Sequence, residues 1–479
     1  MAQSHDKTSL DRGTSIASDD VRKRAARLLA TTVFFGLLTL IVLVAIPYGT
    51  VQPWWQALFE CAVFVLAALW FLEGFLSNVW DLSTYHILWP LLALAAFAFL
   101  QTLPIGEVNN VSLGIGRGVW KTLSADPHGT RRWVSKMLAL ILVGAMLLRY
   151  TSNERRLRAL IYVVVGVALA SASFGLVRQV VQHEVGFILP HLKPGYGYAQ
   201  FINKNHFPFL MEMAIGLVLG LSMSGVVKRD RLLIHIGVAL LLAGALVSSN
   251  SRGGIFSLVC QLILTASLFF MVRRVRTSVD SSRTALRWVL RAGSSLVVRA
   301  LLIGCLIVAI GVGVVWIGGD PLVGNFQAMP TEVGAPMEGV RWGVRRWDIW
   351  PATWRLIKDH PVAGVGYGGY WMAIPEYHDA SGEKTPQEAH NDYLELLASG
   401  GLIGIALGGW FVCAFVRSVL PRLRSSGRFR RAATFGALIG LSGIAIHSVV
   451  DFGLHIMINA LIFMALVVIA TADISSQRA

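Results

Sequence analysis

The chain has 479 residues, 55% of them hydrophobic and only 14% charged, with a mean hydropathy of +0.61. A soluble domain carries about a quarter charged residues, so this is membrane composition and excludes an ordinary soluble globular domain. The surplus of 42 Lys and Arg over 27 Asp and Glu fits cytoplasmic anchoring of membrane helices and argues against a nucleic-acid surface.

Residues 1–26 are polar, and the apolar run after them is too long for a signal-peptide core, so they read as a cytoplasmic tail. A span needs ~20 mostly apolar residues. Twelve stretches qualify, near 27–47, 53–73, 86–103, 134–150, 157–177, 207–226, 231–248, 254–272, 299–317, 392–416, 432–450 and 455–473. Spans one to nine occupy 27–317, a large loop covers 318–391, spans ten to twelve fill 392–473, and 474–479 is a second short tail. The third stretch is the least regular, opening with His86 and Pro90 and closing at Pro104. The tenth contains Gly400, Gly401 and Gly404, which predicts a bend or a close helix contact.

Basic residues set the orientation. The dense clusters Arg273–Arg299 and Arg417–Arg431 fall in every second connection, together with Arg149–Arg158 and Lys228–Arg231. Placing them in the cytoplasm puts the alternate connections, including 318–391, on the outer side. Within that loop, Trp347, Trp350, Trp354 and Ile357 recur at three- and four-residue spacing, which predicts a short amphipathic helix at the membrane interface. His360-Pro361 should end it, and Gly364, Gly366, Gly368 and Gly369 should form a turn. No internal repeat is evident, which weighs against a transporter built from duplicated halves.

With this topology the conspicuous polar residues share the outer side. Asn203, Lys204, Asn205 and His206 precede span six, and Ser249–Arg252 fill the tight connection before span eight. Arg341, Arg345 and Arg346 open the amphipathic stretch; His390, Asn391 and Asp392 open span ten; His447, Asp451 and His455 flank the last connection. Each has two readings. Arg252 beside Gly253-Gly254 either binds phosphate as a guanidinium fork or anchors a lipid headgroup. Arg345 and Arg346 either do the same or snorkel from an interfacial helix. Lys204 is a phosphate partner or a solvated lysine. His390 is a general base or a helix-end residue, with Asn391 or Asp392 as a cap. His206 is open in the same way, and Asp451 calls for an ion pair with a nearby arginine.

The histidines are scattered, and Cys61, Cys260, Cys305 and Cys413 lie in apolar runs without ligand spacing, so no metal cage is expected. Neither a P-loop nor a dinucleotide fingerprint occurs. An outer-face enzyme without nucleotide needs a substrate that arrives activated, and a lipid diphosphate is one.

The order Asn203–Phe207, Ser251-Arg-Gly-Gly254, Arg346-Trp-Asp-Ile-Trp350, Pro361–Tyr367, His390-Asn-Asp-Tyr-Leu-Glu-Leu396 with Gly400–Gly404, and His447–Phe452 resembles the O-antigen ligase and polymerase superfamily. The resemblance implies an all-α membrane glycosyltransferase-like bundle of about twelve transmembrane helices. One large periplasmic loop with short amphipathic helices would project from the bacterial inner membrane. It implies a donor glycan on undecaprenyl diphosphate, inversion, and no metal or other cofactor. Arg252 and Arg346, with Arg345 one residue out of register, would hold the diphosphate. His390 would activate or orient the acceptor hydroxyl, and Asn203, Lys204, Asn205, His206, Asn391 and Asp451 would line the cavity. The acceptor would be a saccharide, either lipid A–core or another lipid-linked repeat; membrane lipids are the other partner and no nucleic acid is expected. The alternatives are a flippase or transporter of lipid-linked saccharides and a protein O-oligosaccharyltransferase. A transporter should expose charges along a path through the bilayer middle, whereas most charges here gather at one face.

Overall fold

A computed structural model describes residues 5–78, 82–104, 122–194, 197–224, 226–273, 346–378 and 386–474. They form α1 His5–Ala45, α2 Pro53–Ser77, α3 Trp89–Gln101, α4 Pro127–Tyr150, α5 Glu154–Val181 and α6 Phe207–Met223. There follow α7 Arg229–Ser248, α8 Arg252–Arg273, α9 Arg346–Asp359, α10 Asp392–Leu423, α11 Arg428–His447 and α12 Met457–Thr471. Among the described residues there is no β-strand, only isolated bridges such as Tyr198 with Phe201. The protein is an all-helical, multi-pass membrane protein: eight helices are long and apolar enough to cross a bilayer, and α3, α8 and α12 carry shorter apolar stretches. These helices match eleven of the expected spans; the stretch at 299–317, with most of the loop before Arg346, lies outside the described residues.

Local sequence sets the helix starts. Pro53, Pro90, Pro127 and Pro208 sit in first turns, where a missing N–H costs nothing. Asp126, Asn153 and Asn391 cap α4, α5 and α10 by accepting from Gly129, Arg156, and Tyr393 with Leu394.

The apolar helices α6 and α12 are almost wholly buried, whereas α7 and α10 turn residues such as Leu233, Leu240, Leu402 and Trp410 outward. In lipid the hydrophobic effect does not drive helices together, so close van der Waals packing must. Glycines permit it where α6 crosses α11. A side chain at Gly216 would collide with the backbone of Gly440, and one at Gly220 with that of Gly436. Each helix therefore carries a G-x-x-x-G face that meets the other. Buried polar groups tie in α8: Gln261 Nε2 donates to the Glu212 and Ile439 carbonyls at 2.9 and 3.0 Å. Glu212 faces the bundle interior, with Oε1 2.9 Å from His447 Nδ1 and both side chains fully buried.

The glycine-rich turn after α9 docks into a break in α10. Gly401 has φ +59°, and a side chain there would strike the Val362 carbonyl. Backbone bonds run from Val365 N to the Ala398 carbonyl, Gly366 N to Ser399, and Leu402 N to Pro361, each 2.9 Å. Tyr367 fills the space left open at Gly400 and Gly404. The expected bend in span ten is thus a docking point for the preceding loop.

Helix α9 ends at Asp359, just before His360-Pro361. Ile349, Ala352, Thr353, Leu356 and Ile357 are buried, Trp350 is half-buried and Trp354 is exposed. The buried side meets Tyr370, Ala373 and Ile374, which cluster with Ala352, Leu356 and Ile357, and Thr353 Oγ1 lies 2.7 Å from the Tyr370 hydroxyl.

Candidate active site

The connections expected on the outer side meet at one end of the bundle around a cavity of about 1770 Å³. Its walls include His128, Arg131, Arg132 and Lys136 from α4, and Asn203 and His206 before α6. Glu388 and His390 before α10, and Phe452 and His455 before α12, complete the inner surface. The opposite end carries ordinary anchoring pairs, Arg149 with Glu73 at 2.8 Å and Arg422 with Asp473 at 2.6 Å.

His390 is fixed from both sides. Trp350 Nε1 donates to the Ala389 carbonyl at 3.1 Å, Ala389 N donates to Glu395 Oε2 at 3.0 Å, and Asn391 starts α10 as its cap. Between these anchors His390 takes φ +50°, a left-handed conformation that a non-glycine residue holds only when its surroundings impose it. Its ring packs edge-on to Phe452, with centroids 4.6 Å apart; His206 and His455 pack against the same ring at 4.8 and 5.6 Å.

Asp451 lies behind the imidazole. Its Oδ1 is 3.4 Å from His390 Nδ1, longer than a well-formed hydrogen bond, and its Oδ2 is 3.3 Å from Arg346 Nη2. Phe452 N donates to Oδ1 at 3.0 Å, and Asp451 N donates to the His447 carbonyl, which sets the aspartate one turn past the end of α11. Burial alone would raise the Asp451 carboxyl, but His390 and the Arg346 guanidinium pull it well below the ordinary carboxylate range. Burial holds the His390 imidazole below its usual value, with Asp451 opposing that shift. A neutral imidazole lining an open cavity, backed by a carboxylate, is equipped to accept a proton.

The profile of the family described as O-antigen ligase matches residues 237–409. That stretch of the chain is similar to the O-antigen ligase family. This range includes the Ser251–Gly254, Arg346–Trp350, Pro361–Tyr367 and His390–Gly404 segments, but neither Asn203–Phe207 nor His447–Phe452. A search of curated proteins returned no match.

The expected site residues converge unequally. His390, Asn203 and His206 line the cavity, and Asp451 stands directly behind His390. Arg346 is only 3% exposed and engages Asp451. Arg252 opens α8 as an exposed residue; the neighbouring Gly253 packs against His447 and Val450, which brings Arg252 to the Asp451 connection. Neither arginine is among the residues lining the cavity. Arg345 and Arg341 lie outside the described residues. Lys204 and Asn205 form a half-buried 3-10 turn capped by Asn203, and Asn391 is the buried cap of α10.

Two carboxylates beside His390, Glu388 and Glu395, were not among the expected site residues, and Asp392 was expected only as a cap. Glu395 lies one turn into α10 from Asp392, whereas Glu388 precedes the helix, so only the fold brings it to the other two. His455 Nδ1 lies 3.2 Å from Glu388, and its Nε2 lies 3.4 Å from Glu395 and 3.8 Å from Asp392. Burial pushes the Glu388 carboxyl up to about 7. Glu388, Glu395 and His455 offer ligand atoms within 4.8 Å of one another. Both ring nitrogens already face carboxylates, so the group compensates its own charge, and a metal ion would have to displace those contacts.

Proposed function

We propose that this protein transfers a glycan from undecaprenyl diphosphate to a saccharide hydroxyl at the periplasmic face of a bacterial inner membrane. The observation that carries the reading is the position of His390 on the wall of a large cavity, held between α9 and α10 and backed by the Asp451–Arg346 pair. The ligase-type domain supplies the reaction class.

The acceptor hydroxyl attacks the anomeric carbon of the lipid-linked glycan. The new bond to the acceptor oxygen forms as the bond to the diphosphate oxygen breaks, with inversion at that carbon. The hydroxyl proton passes to His390, and undecaprenyl diphosphate leaves with the electron pair. Arg252 is the donor-side cation, and Arg346 adds positive charge from behind Asp451; both stabilise the charge that develops on the diphosphate. No metal or nucleotide is required. The acceptor is lipid A–core or another lipid-linked repeat. Clustering of titratable groups around one cavity, rather than along a path through the bundle, favours transfer over transport.

The test uses purified protein, a lipid-linked oligosaccharide and a panel of acceptors. Loss of a positioned base costs about 10²–10⁴-fold, so His390→Ala should lose turnover on that scale with donor binding retained. Arg252→Ala should weaken donor binding. Undiminished transfer by both variants would sink the site assignment, and translocation of the donor without transfer would make the protein a transporter.

A further inference from the structure

The α4 wall of the cavity is not used by the transfer chemistry. His128, Arg131, Arg132, Ser135 and Lys136 fall at i, i+3, i+4, i+7 and i+8, so they share one face, and all five line the cavity. The inner pair is satisfied internally: Ser135 donates to Glu60 Oε2 at 2.6 Å, and Lys136 donates to the His455 carbonyl at 2.5 Å. The outer three are exposed and have no ion-pair partner among the described residues. The nearest carboxylate in sequence, Asp126, is already engaged through both oxygens, by Gly129 N at 2.9 Å and by Trp371 Nε1 at 3.2 Å.

That second bond pins an aromatic beside the cations. Trp371 is 45% exposed and lines the same cavity, as does Trp133, which stacks on Tyr367 with centroids 4.3 Å apart. Guanidinium forks fit phosphate or carboxylate oxygens, and indole faces offer flat apolar area to the C–H faces of a sugar ring. Glu388 and Glu395 line the same cavity but face the His455 ring, at 3.2 and 3.4 Å, and form no ion pair with the outer α4 cations. From this arrangement we infer that the α4 face formed by His128, Arg131, Arg132 and Trp371 is a subsite for an anionic saccharide, which holds a phosphate- or carboxylate-bearing acceptor with its hydroxyl end toward His390. Its role as an acceptor subsite rests on the transferase reading; the binding itself does not.

An anionic lipid headgroup offers the same phosphate chemistry, so the test separates the two. Full-length protein in nanodiscs of zwitterionic lipid is titrated with a fluorescent oligosaccharide bearing phosphate monoesters and with the same oligosaccharide after phosphatase treatment. Wild type should bind the phosphorylated form about tenfold more tightly, the scale of one net charge-assisted contact. The Arg131→Gln/Arg132→Gln variant should lose that preference while keeping wild-type affinity for the neutral form, which also reports its folding. Arg131→Lys/Arg132→Lys should retain most of it. Equal affinities in wild type, or a preference surviving in the glutamine variant, would overturn the subsite. A preference abolished by anionic lipid in the nanodisc would assign the wall to headgroups and overturn it as well. No step needs turnover, so phosphate-selective binding without transfer would count against the transferase reading and leave the subsite standing.

Discussion

Asp451 presents one oxygen to Arg346 and the other toward His390, and so couples the charge of the site to the position of its imidazole. Burial lowers the His390 pKa and Asp451 raises it, so removing the carboxylate lets burial act unopposed. Asp451→Asn should therefore shift the acidic limb of the pH–rate profile to lower pH. It should also reduce turnover at neutral pH by about 10²-fold, because the imidazole loses both orientation and basicity. An unchanged limb with reduced turnover would mean that Asp451 acts through Arg346 alone. Glu388 titrates in the other direction. Its carboxyl is raised from 4.5 to about 7 in the folded state, so its contribution to stability is full below the unfolded value and is lost as pH rises through about 7. Glu388→Gln should raise the thermal midpoint in detergent at about pH 8 more than at about pH 5. A shift equal at both would show that the side chain matters for packing and not for its charge. His390 and Asp451 were legible in the sequence as polar residues at span ends. Their alignment was not, because it depends on the left-handed His390 and on a connection between α11 and α12 set by backbone bonds.

The crossing of α6 and α11 is the closest packing argued from the helices themselves. Leucine at Gly220 or Gly436 would drive a side chain into the facing backbone, which cannot yield as a flexible side chain would. Gly220→Leu should therefore cost roughly 3 kcal/mol or more and lower the yield of folded protein in detergent, as read by size-exclusion chromatography and thermal unfolding. Leucine at Gly237 or Gly244, where nothing lies within 4 Å, should be tolerated. Equal behaviour at the two kinds of site would refute the crossing. The four glycines were readable as paired small-residue motifs, yet only those at 400–404 stood out, where they lie close together. In α9 the three- and four-residue spacing announced the helix, but Ile349, Ala352 and Leu356 could not be read as its packed side, because Tyr370 and Ile374, against which they cluster, follow only after a turn.

At the scale of the molecule, hydropathy located the apolar helices, and connections that the basic clusters assign to one side line one cavity. Hydropathy counts apolar residues without regard to neighbours, and so it could not foresee that α12, with fifteen residues, is a buried core element. Nor could it pair α4 with the loops after α9; those contacts arise only when the bundle closes. Direct displacement at an anomeric carbon, with His390 as the base, is the reaction proposed for the cavity. The measurement that tests it most directly supplies a lipid-linked glycan of known anomeric configuration, with an acceptor. The linkage in the product is then determined by NMR. Direct displacement predicts an inverted linkage formed in step with released undecaprenyl diphosphate; a retained configuration would contradict it.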